Sequence, residues 1–266
     1  LEHIQQDEEL RLDVIENGIS KDDPNSDRYF GGRYIVPYDK GGSSDAAGGW
    51  MPNYWVPTDY FIDWSEWSVD RLKNYTIADR IRKKNESKEI KDHYETTNCA
   101  VIRNSEAYFQ NSISFSRTGI YSPTFRIGAC ATFDTEGSVI FQSLMSNKKM
   151  IGLLSSRLSR YYTKNYIGHT VHTQVDELKQ LIISLNLPDK VEELVNKIVE
   201  KQKGQKEYDY ATHEQISIEK LVYQAYSLNI NDIREVENWY ARRYPRLVAA
   251  QKENLRKLGK SDDYLE

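Results

Sequence analysis

The chain has 266 residues, of which 29% are charged and 39% are hydrophobic, and its formal net charge is -4. No apolar run is long enough to cross a membrane, and two cysteines, Cys99 and Cys130, are too few for a disulfide framework, so we expect a cytoplasmic protein. Because the sequence opens with Leu rather than Met, we expect it to be a piece of a longer protein.

The predicted elements begin with a polar, acidic lead-in over residues 1–28, in which residues 8–17 form a helix that ends before Gly18. The run "RYFGGRYIVPY" is aromatic and β-branched and predicts an extended segment closed by Pro37. The glycine-rich loop "DKGGSSDAAGGW" follows, and then the aromatic run "YWVPTDYFIDWSEW", which predicts an edge strand. Residues 68–94 are charged and are predicted to be mostly helical or solvated.

Four strand-like runs come next: "NCAVIR", "SISFSR", "TFRIGACATF" and "SVIFQSL". The turn residues 134–137 separate the last two runs and predict a hairpin. From Asn147, a possible N-cap, the apolar spacing becomes helical and predicts a long helix near residues 147–165.

The last part of the chain, residues 188–266, is predicted to be helical. Its first helix has Pro188 in the first turn and a continuous apolar stripe, namely Val191, Leu194, Val195, Ile198 and Val199. The whole pattern predicts an α+β fold, in which a β-rich mixed-sheet domain over residues 29–187 is followed by the helical C-terminal region.

The charges are distributed unevenly along the chain. Residues 1–30 carry three basic and nine acidic side chains, whereas residues 96–175 carry eight basic and three acidic side chains, a net charge of +5. No acidic residue occurs between Gly137 and Val175. A basic zone inside an acidic protein indicates a polyanion site more directly than the total charge does.

The glycine-rich loop raises the question of phosphate binding. A P-loop needs its lysine after the glycines and a dinucleotide site needs Gly-x-Gly-x-x-Gly, and neither spacing occurs around Lys40. The loop is therefore an ordinary surface loop, or a segment whose glycines let the backbone approach a larger partner while Lys40 supplies charge. Asp39 and Asp45 would repel a phosphate unless they pair with a base amine or with a nearby arginine.

The spacing of the residues gives weaker support to glycoside hydrolysis, zinc binding or a serine nucleophile. Asp63 and Glu66 would hydrolyse a glycoside only if they faced each other across a cleft. His169 and His172 lack further ligands at zinc-site spacing, and no nucleophile elbow is present. We therefore predict neither a metal site nor a catalytic residue in this chain.

The stretch from Arg103 to Thr173 combines hydroxyl, aromatic and basic side chains. Such side chains hold DNA phosphates, and arginine also reads guanine edges. A solvated helix face with polar strand edges would have a similar composition, so composition by itself leaves both interpretations open.

Several phrases occur together in one order: "VPYDKGG", "DYFIDWS", "RNSEAYFQNSISFSRTG", "YSPTFRIGACATFDTEGSVIF", "LLSSRLSRYY" and "IGHTVHTQVDELKQL". In this order they resemble the C-terminal region of adenine-specific DNA methyltransferases of the type IIG restriction–modification and phage-exclusion (BREX) families. That region is a TaqI-like target-recognition domain. The resemblance covers roughly residues 29–245, and the chain departs from the family pattern at Phe115, at residues 155–156 and at residues 168–170.

The resemblance implies a sequence-specific DNA recognition domain that positions duplex DNA for adenine methylation by an upstream catalytic domain. The methyltransferase motifs themselves are missing, since neither Asn-Pro-Pro-Tyr nor Asp-Pro-Pro-Tyr occurs. We therefore expect no cofactor in this chain and S-adenosylmethionine only in the parent enzyme, which would act in restriction–modification or phage defence. The expected partners are double-stranded DNA and the upstream methyltransferase domain.

The candidate DNA contacts combine the glycine-rich loop with the basic zone. They are Lys40, Gly41, Gly42, Ser116, Arg117, Thr118, Tyr121, Arg126, Arg157, Arg160 and Lys164. Two other functions stay open. One is a protein-interaction module whose basic zone docks an acidic partner, and the other is a hydrolase that uses Asp63 and Glu66.

Overall fold

The computed structural model of the chain describes residues 1–23, 29–41, 49–74, 104–130, 132–134 and 137–260. The strand predicted at residues 98–103, most of the charged stretch 68–94, Gly42 and Asp45 lie outside these residues. The chain divides into two compact units. Unit 1 contains Leu1–Tyr38, Asp59–Gln110 and Cys130–Thr132, and unit 2 contains Asp39–Thr58, Asn111–Ala129 and Phe133–Glu266. The predicted α+β class is confirmed, because small antiparallel sheets combine with a helical second half.

Unit 1 opens with two helices, α1 (Glu2–Gln6) and α2 (Glu8–Asn17). The Asp7 side chain caps α2 by accepting a hydrogen bond from the Leu10 amide, and the helix ends at Gly18, whose φ is 89°. The helix predicted over these residues is therefore confirmed. The indole of Trp64 fixes its position, because the Nε1 atom donates to the carbonyl of Val14 at 2.9 Å.

The sheet of unit 1 is centred on β2 (Arg33–Asp39), which lies between β1 (Tyr29–Phe30) and β3 (Phe61–Asp63) in antiparallel pairing. The short β6 (Thr132–Phe133) also pairs with β2. Helix α3 (Glu66–Asn74) follows β3 directly.

The sheet of unit 2 has β4 (Ile113–Phe115) in the middle, with β5 (Phe125–Ile127) on one side and β7 (Val139–Ile140) on the other. The predicted hairpin between β6 and β7 is wrong, because these strands pair with different partners. The reason is that each strand pairs with a strand from farther away in the chain, β6 with β2 and β7 with β4. Gly137 packs closely on the end of β2, since a Cβ atom there would come within 2.0 Å of the carbonyl oxygen of Asp39.

The helices of unit 2 are α4 (Asn147–Leu154), α5 (Arg157–Tyr162), a π-helix (Thr163–Ile167), α6 (Val175–Leu178), α7 (Asp189–Gly204), α8 (Glu214–Ala225), α9 (Ile230–Arg243) and α10 (Pro245–Lys257). The apolar stripe predicted for α7 is buried, as expected. It packs on α4 at Gly152, where a Cβ atom would lie 2.5 Å from Val191. No helix among the described residues is long and apolar enough to cross a membrane.

The single long helix expected near residues 147–165 is divided in the structure. Ser146, and not Asn147, caps α4, and Ser156 caps α5 by accepting a hydrogen bond from the Ser159 amide. The hydroxyl of Ser159 donates to the carbonyl of Leu153 at 2.7 Å. Serine hydroxyls compete with the helical backbone for hydrogen bonds, so this serine-rich junction ends one helix and starts the next.

Candidate nucleic-acid interface

Two surface segments of unit 2, residues 117–122 and 168–174, pair to form a short ribbon. Thr118 and His172 form an antiparallel bridge. The amide of Thr173 donates to the carbonyl of Arg117 at 2.7 Å, and the amide of Gly119 donates to the carbonyl of Val171 at 3.1 Å. The ribbon exposes a mixture of hydroxyl, imidazole and small aliphatic side chains: Thr118, Ile120, His169, Thr170, Val171 and His172.

Two buried cations hold the ribbon from its inner side. Arg160, on α5, donates to the carbonyls of Tyr121 at 2.6 Å and Pro123 at 2.8 Å. Lys164, in the π-helix, donates from Nζ to the carbonyl of Thr170 at 2.9 Å. Only 3% of Arg160 and 5% of Lys164 is exposed. Since charged donors form strong hydrogen bonds to carbonyls, these two predicted DNA contacts fix the shape of the ribbon from inside the protein.

The base of the ribbon is a network of buried hydroxyl groups. Ser122 donates to the carbonyls of Ser116 at 3.0 Å and Arg117 at 2.8 Å. The Ser116 hydroxyl lies 2.6 Å from that of Thr124 and is buried. Arg117 is half-buried, and its Nη2 atom donates to Gln174 at 2.7 Å. Ser116 and Arg117 therefore have partners within the protein, as Arg160 and Lys164 do.

Three exposed arginines lie at the junction of α9 and α10, in the sequence "RRYPR". We call Arg242, Arg243 and Arg246 the arginine corner. Among the residues that the structure describes, Arg242 lies 3.6 Å from a Glu235 oxygen, whereas Arg243 and Arg246 form no ion pair. Sequence reasoning missed this site, although three arginines within five residues are a visible signal.

The arginine corner adjoins the ribbon through the buried ring of Tyr244. The centroid of this ring lies 5.5 Å from the ring of Tyr121, and the guanidinium of Arg160 lies 5.7 Å from it. Burial, followed by the positive charges of Arg160 and Arg243, lowers the pKa of Lys164 to about 8 against the opposing charge of Glu177. Arg243 of the arginine corner is thus close enough to Lys164, beneath the ribbon, to affect its pKa.

Two more of the predicted DNA contacts, Gly41 and Arg126, bond to Asp39 within the protein. Arg126 is buried and forms an ion pair with Asp39 at 2.7 Å, and the same Asp39 oxygen accepts a hydrogen bond from the Gly41 amide at 2.8 Å. Asp39 therefore pairs with a nearby arginine. Such a pair, like one with a base amine, is expected to keep Asp39 from repelling a phosphate at this loop. Lys40 is exposed beside it.

Arg157 belongs to a buried network between helices. Its guanidinium pairs with Glu237 and lies 4.5 Å from the centre of the Tyr240 ring. Its backbone amide donates to both carboxylate oxygens of Glu219, at 3.0 and 3.1 Å. Burial raises the pKa of Glu219 to about 7, with Glu237 adding to this effect while Arg157 opposes it. The network connects α5, α8 and α9.

The two carboxylates considered for hydrolysis lie at the end of β3 and in the first turn of α3. One oxygen of Asp63 accepts hydrogen bonds from the amides of Tyr34 at 3.0 Å and Ser65 at 3.1 Å. Burial would raise the pKa of Asp63, but hydrogen bonds from Ser68, Ser65 and Tyr34 outweigh it and lower the pKa. Glu66 is exposed in the first turn of α3. A low pKa disfavours Asp63 as a general acid.

Comparisons with protein-family models, with curated proteins and with solved structures find no match to this chain. The ribbon and the arginine corner are the surface features that bear most directly on function.

Proposed function

We propose that this chain is a sequence-specific DNA recognition domain that holds duplex DNA for an adenine-specific methyltransferase. The observation that supports this most directly is the ribbon, whose shape is held by two buried cations and which lies beside the arginine corner. The ribbon would read base edges, and the arginine corner would bind phosphates.

The dimensions and chemistry of a ribbon suit the major groove of DNA. This groove admits a two-stranded β-ribbon and displays hydrogen-bond donors, acceptors and thymine methyl groups. Thr118 and His172, whose Oγ1 and Nδ1 atoms lie 3.0 Å apart, place a hydroxyl and an imidazole on the exposed face of the ribbon for base edges, and the exposed Ile120 and Val171 offer apolar contacts to thymine. A ribbon fixed from inside loses little conformational freedom when it binds, which favours affinity.

The arginine corner supplies the electrostatic part of binding. Arginine pairs with phosphate through two parallel hydrogen bonds, and each neutralised phosphate releases counterions from DNA. Since Arg126, Arg160 and Lys164 are buried inside the protein, we assign phosphate contacts to cations that are exposed: Arg242, Arg243 and Arg246, with Lys40 as a further contact.

The test is duplex binding as a function of salt, measured by fluorescence anisotropy with a pool of random duplexes. Affinity should fall steeply as salt rises, because the logarithm of the binding constant changes by about 0.9 per phosphate contact for each unit of log salt. The triple variant Arg242→Gln/Arg243→Gln/Arg246→Gln should lower this slope by about 2 to 3. Replacement of three exposed lysines by glutamine controls for net charge: Lys197, Lys203 and Lys206.

Sequence selectivity is tested separately by selecting bound duplexes from the same pool. The wild-type chain should enrich a defined motif, and Thr118→Ala/His172→Ala should broaden it while the salt slope stays unchanged. Duplex binding that is absent at low salt, or that the arginine variant leaves intact, would contradict the proposal. Binding to an acidic peptide in its place would support the protein-interaction module.

A further inference from the structure

A row of four aromatic side chains crosses the surface of unit 2 beside the arginine corner. The ring centroids of Tyr162 and Tyr166 are 5.7 Å apart, those of Tyr166 and Tyr161 are 5.6 Å apart, and those of Tyr161 and Trp239 are 5.3 Å apart. Trp239 in turn lies 6.0 Å from Tyr244, the ring that connects the arginine corner to the ribbon. We call the first four residues the aromatic row.

The π-helix at Thr163–Ile167 makes the aromatic row continuous. In an α-helix, residues five positions apart point in different directions, whereas the wider π-turn aligns them. Tyr161 and Tyr166 are five positions apart, and their hydroxyl oxygens lie 3.2 Å from each other. π-turns are rare and occur frequently at functional sites, which draws attention to this surface.

The aromatic row is accessible, and arginines lie beside it. Tyr166 is 63% exposed, and the other three rings are half-buried. Arg242 and Arg243 follow Trp239 by three and four positions on α9, so they lie on the same side of the helix. Glu235, which lies 3.6 Å from Arg242, is a negative charge close to Tyr161. The hydrogen bond with Tyr166, burial and the charges of Tyr166 and Glu235 raise the pKa of Tyr161 to about 12.

We infer that the aromatic row binds unpaired bases of a DNA strand whose phosphates contact the arginine corner. Every base has a π-face that stacks on an aromatic ring, and single-strand sites combine such rings with cations that follow the backbone. A proline-rich peptide also binds aromatic surfaces, but it carries no phosphate for the arginines. The inference extends the proposed function from duplex DNA to an unpaired segment of the same ligand.

The experiment compares an oligothymidine with a perfect duplex of equal length, both by fluorescence anisotropy. Tyr166→Ala should weaken binding of the oligothymidine about 5- to 150-fold, which corresponds to about 1 to 3 kcal/mol for one stacked base. Tyr166→Phe keeps the ring and should bind nearly as the wild type does. Because Tyr166 is exposed, the alanine variant is expected to fold normally. Glu235→Gln removes the opposing charge and should tighten binding.

A second readout detects stacking itself. An oligonucleotide that contains 2-aminopurine loses fluorescence when this base stacks, and the wild type should quench it more strongly than Tyr166→Ala does. If the chain binds duplex with a steep salt dependence but Tyr166→Ala leaves both single-strand measurements unchanged, the inference about the aromatic row is overturned and the proposed function survives. If neither DNA binds, the proposed function itself fails. Preferential binding of a proline-rich peptide would also overturn the inference.

Discussion

The buried carboxyl group of Glu219 predicts an unusual dependence of stability on pH. Glu219 is 1% exposed and contacts the amide of Arg157 and the amide group of Gln215, which donates to it at 2.7 Å. Its pKa is raised from 4.5 to about 7, mainly by burial and further by Glu237. The folded protein therefore binds more protons than the unfolded chain does between these two pH values.

The difference between the pKa of Glu219 in the folded and in the unfolded chain sets the sign and the size of the change in stability with pH. The free energy of unfolding that Glu219 contributes is fully present below pH 4.5 and is lost as the pH rises through about 7. Each pKa unit is worth about 1.4 kcal/mol, so the loss over this interval is about 3 kcal/mol. Glu219→Gln resembles the protonated form, and we expect it to match the wild type in acid and to be more stable above neutral pH.

The assay is urea unfolding of both chains at several pH values, followed by circular dichroism. The informative quantity is the difference in unfolding free energy between Glu219→Gln and the wild type, because all other titrating groups cancel. This difference should grow by about 3 kcal/mol between about pH 4.5 and pH 8. Glu200→Gln, on the exposed face of α7, is the matched control. A difference that stays constant over this range would refute the reasoning.

Three further predictions concern buried contacts that stabilise the fold: the Lys164 hydrogen bond, the Asp39–Arg126 ion pair and the packing at Gly152. Lys164→Met removes the buried donor beneath the ribbon and should speed hydrogen exchange of the ribbon amides about tenfold or more, with the amides of α7 unchanged. Asp39→Leu leaves Arg126 buried without its partner and should lower the free energy of unfolding by about 3 to 5 kcal/mol, whereas Asp39→Leu/Arg126→Met should recover most of this loss. Gly152→Ala brings a methyl group against Val191 and should cost about 1 to 3 kcal/mol in urea unfolding, while Gly204→Ala, where the space is open, should cost little.

Local patterns predicted several elements accurately. The bounds of α2 follow from the Asp7 cap and from Gly18, both of which act within one turn of the helix. The buried face of α7 follows from the spacing of its apolar residues. The strand-like runs around β4, β5 and β7 also match local patterns, but the predicted hairpin is wrong, because β6 pairs with β2 and β7 with β4, which lie farther away in the sequence.

The candidate site was predicted only in part. The basic zone does contain the ribbon, and the exposed Thr118 was among its predicted contacts. The arginine corner and the aromatic row lie outside the predicted contacts, since they come together only when α9 packs beside α5. Tyr161 and Tyr166 look unrelated at five positions apart until the π-helix aligns them.

The positions of the positive charges, the starts of the helices and their apolar faces can be predicted from local patterns, because these properties depend on residues that are close together in the chain. Which cations are available to a ligand depends on how the chain folds. A buried charge needs a partner, and the partners here are distant in sequence: Asp39 is 87 positions from Arg126, and Glu237 is 80 positions from Arg157. The composition does not distinguish buried cations from exposed ones. Folding buries Arg126, Arg160 and Lys164 and leaves the arginine corner at the surface.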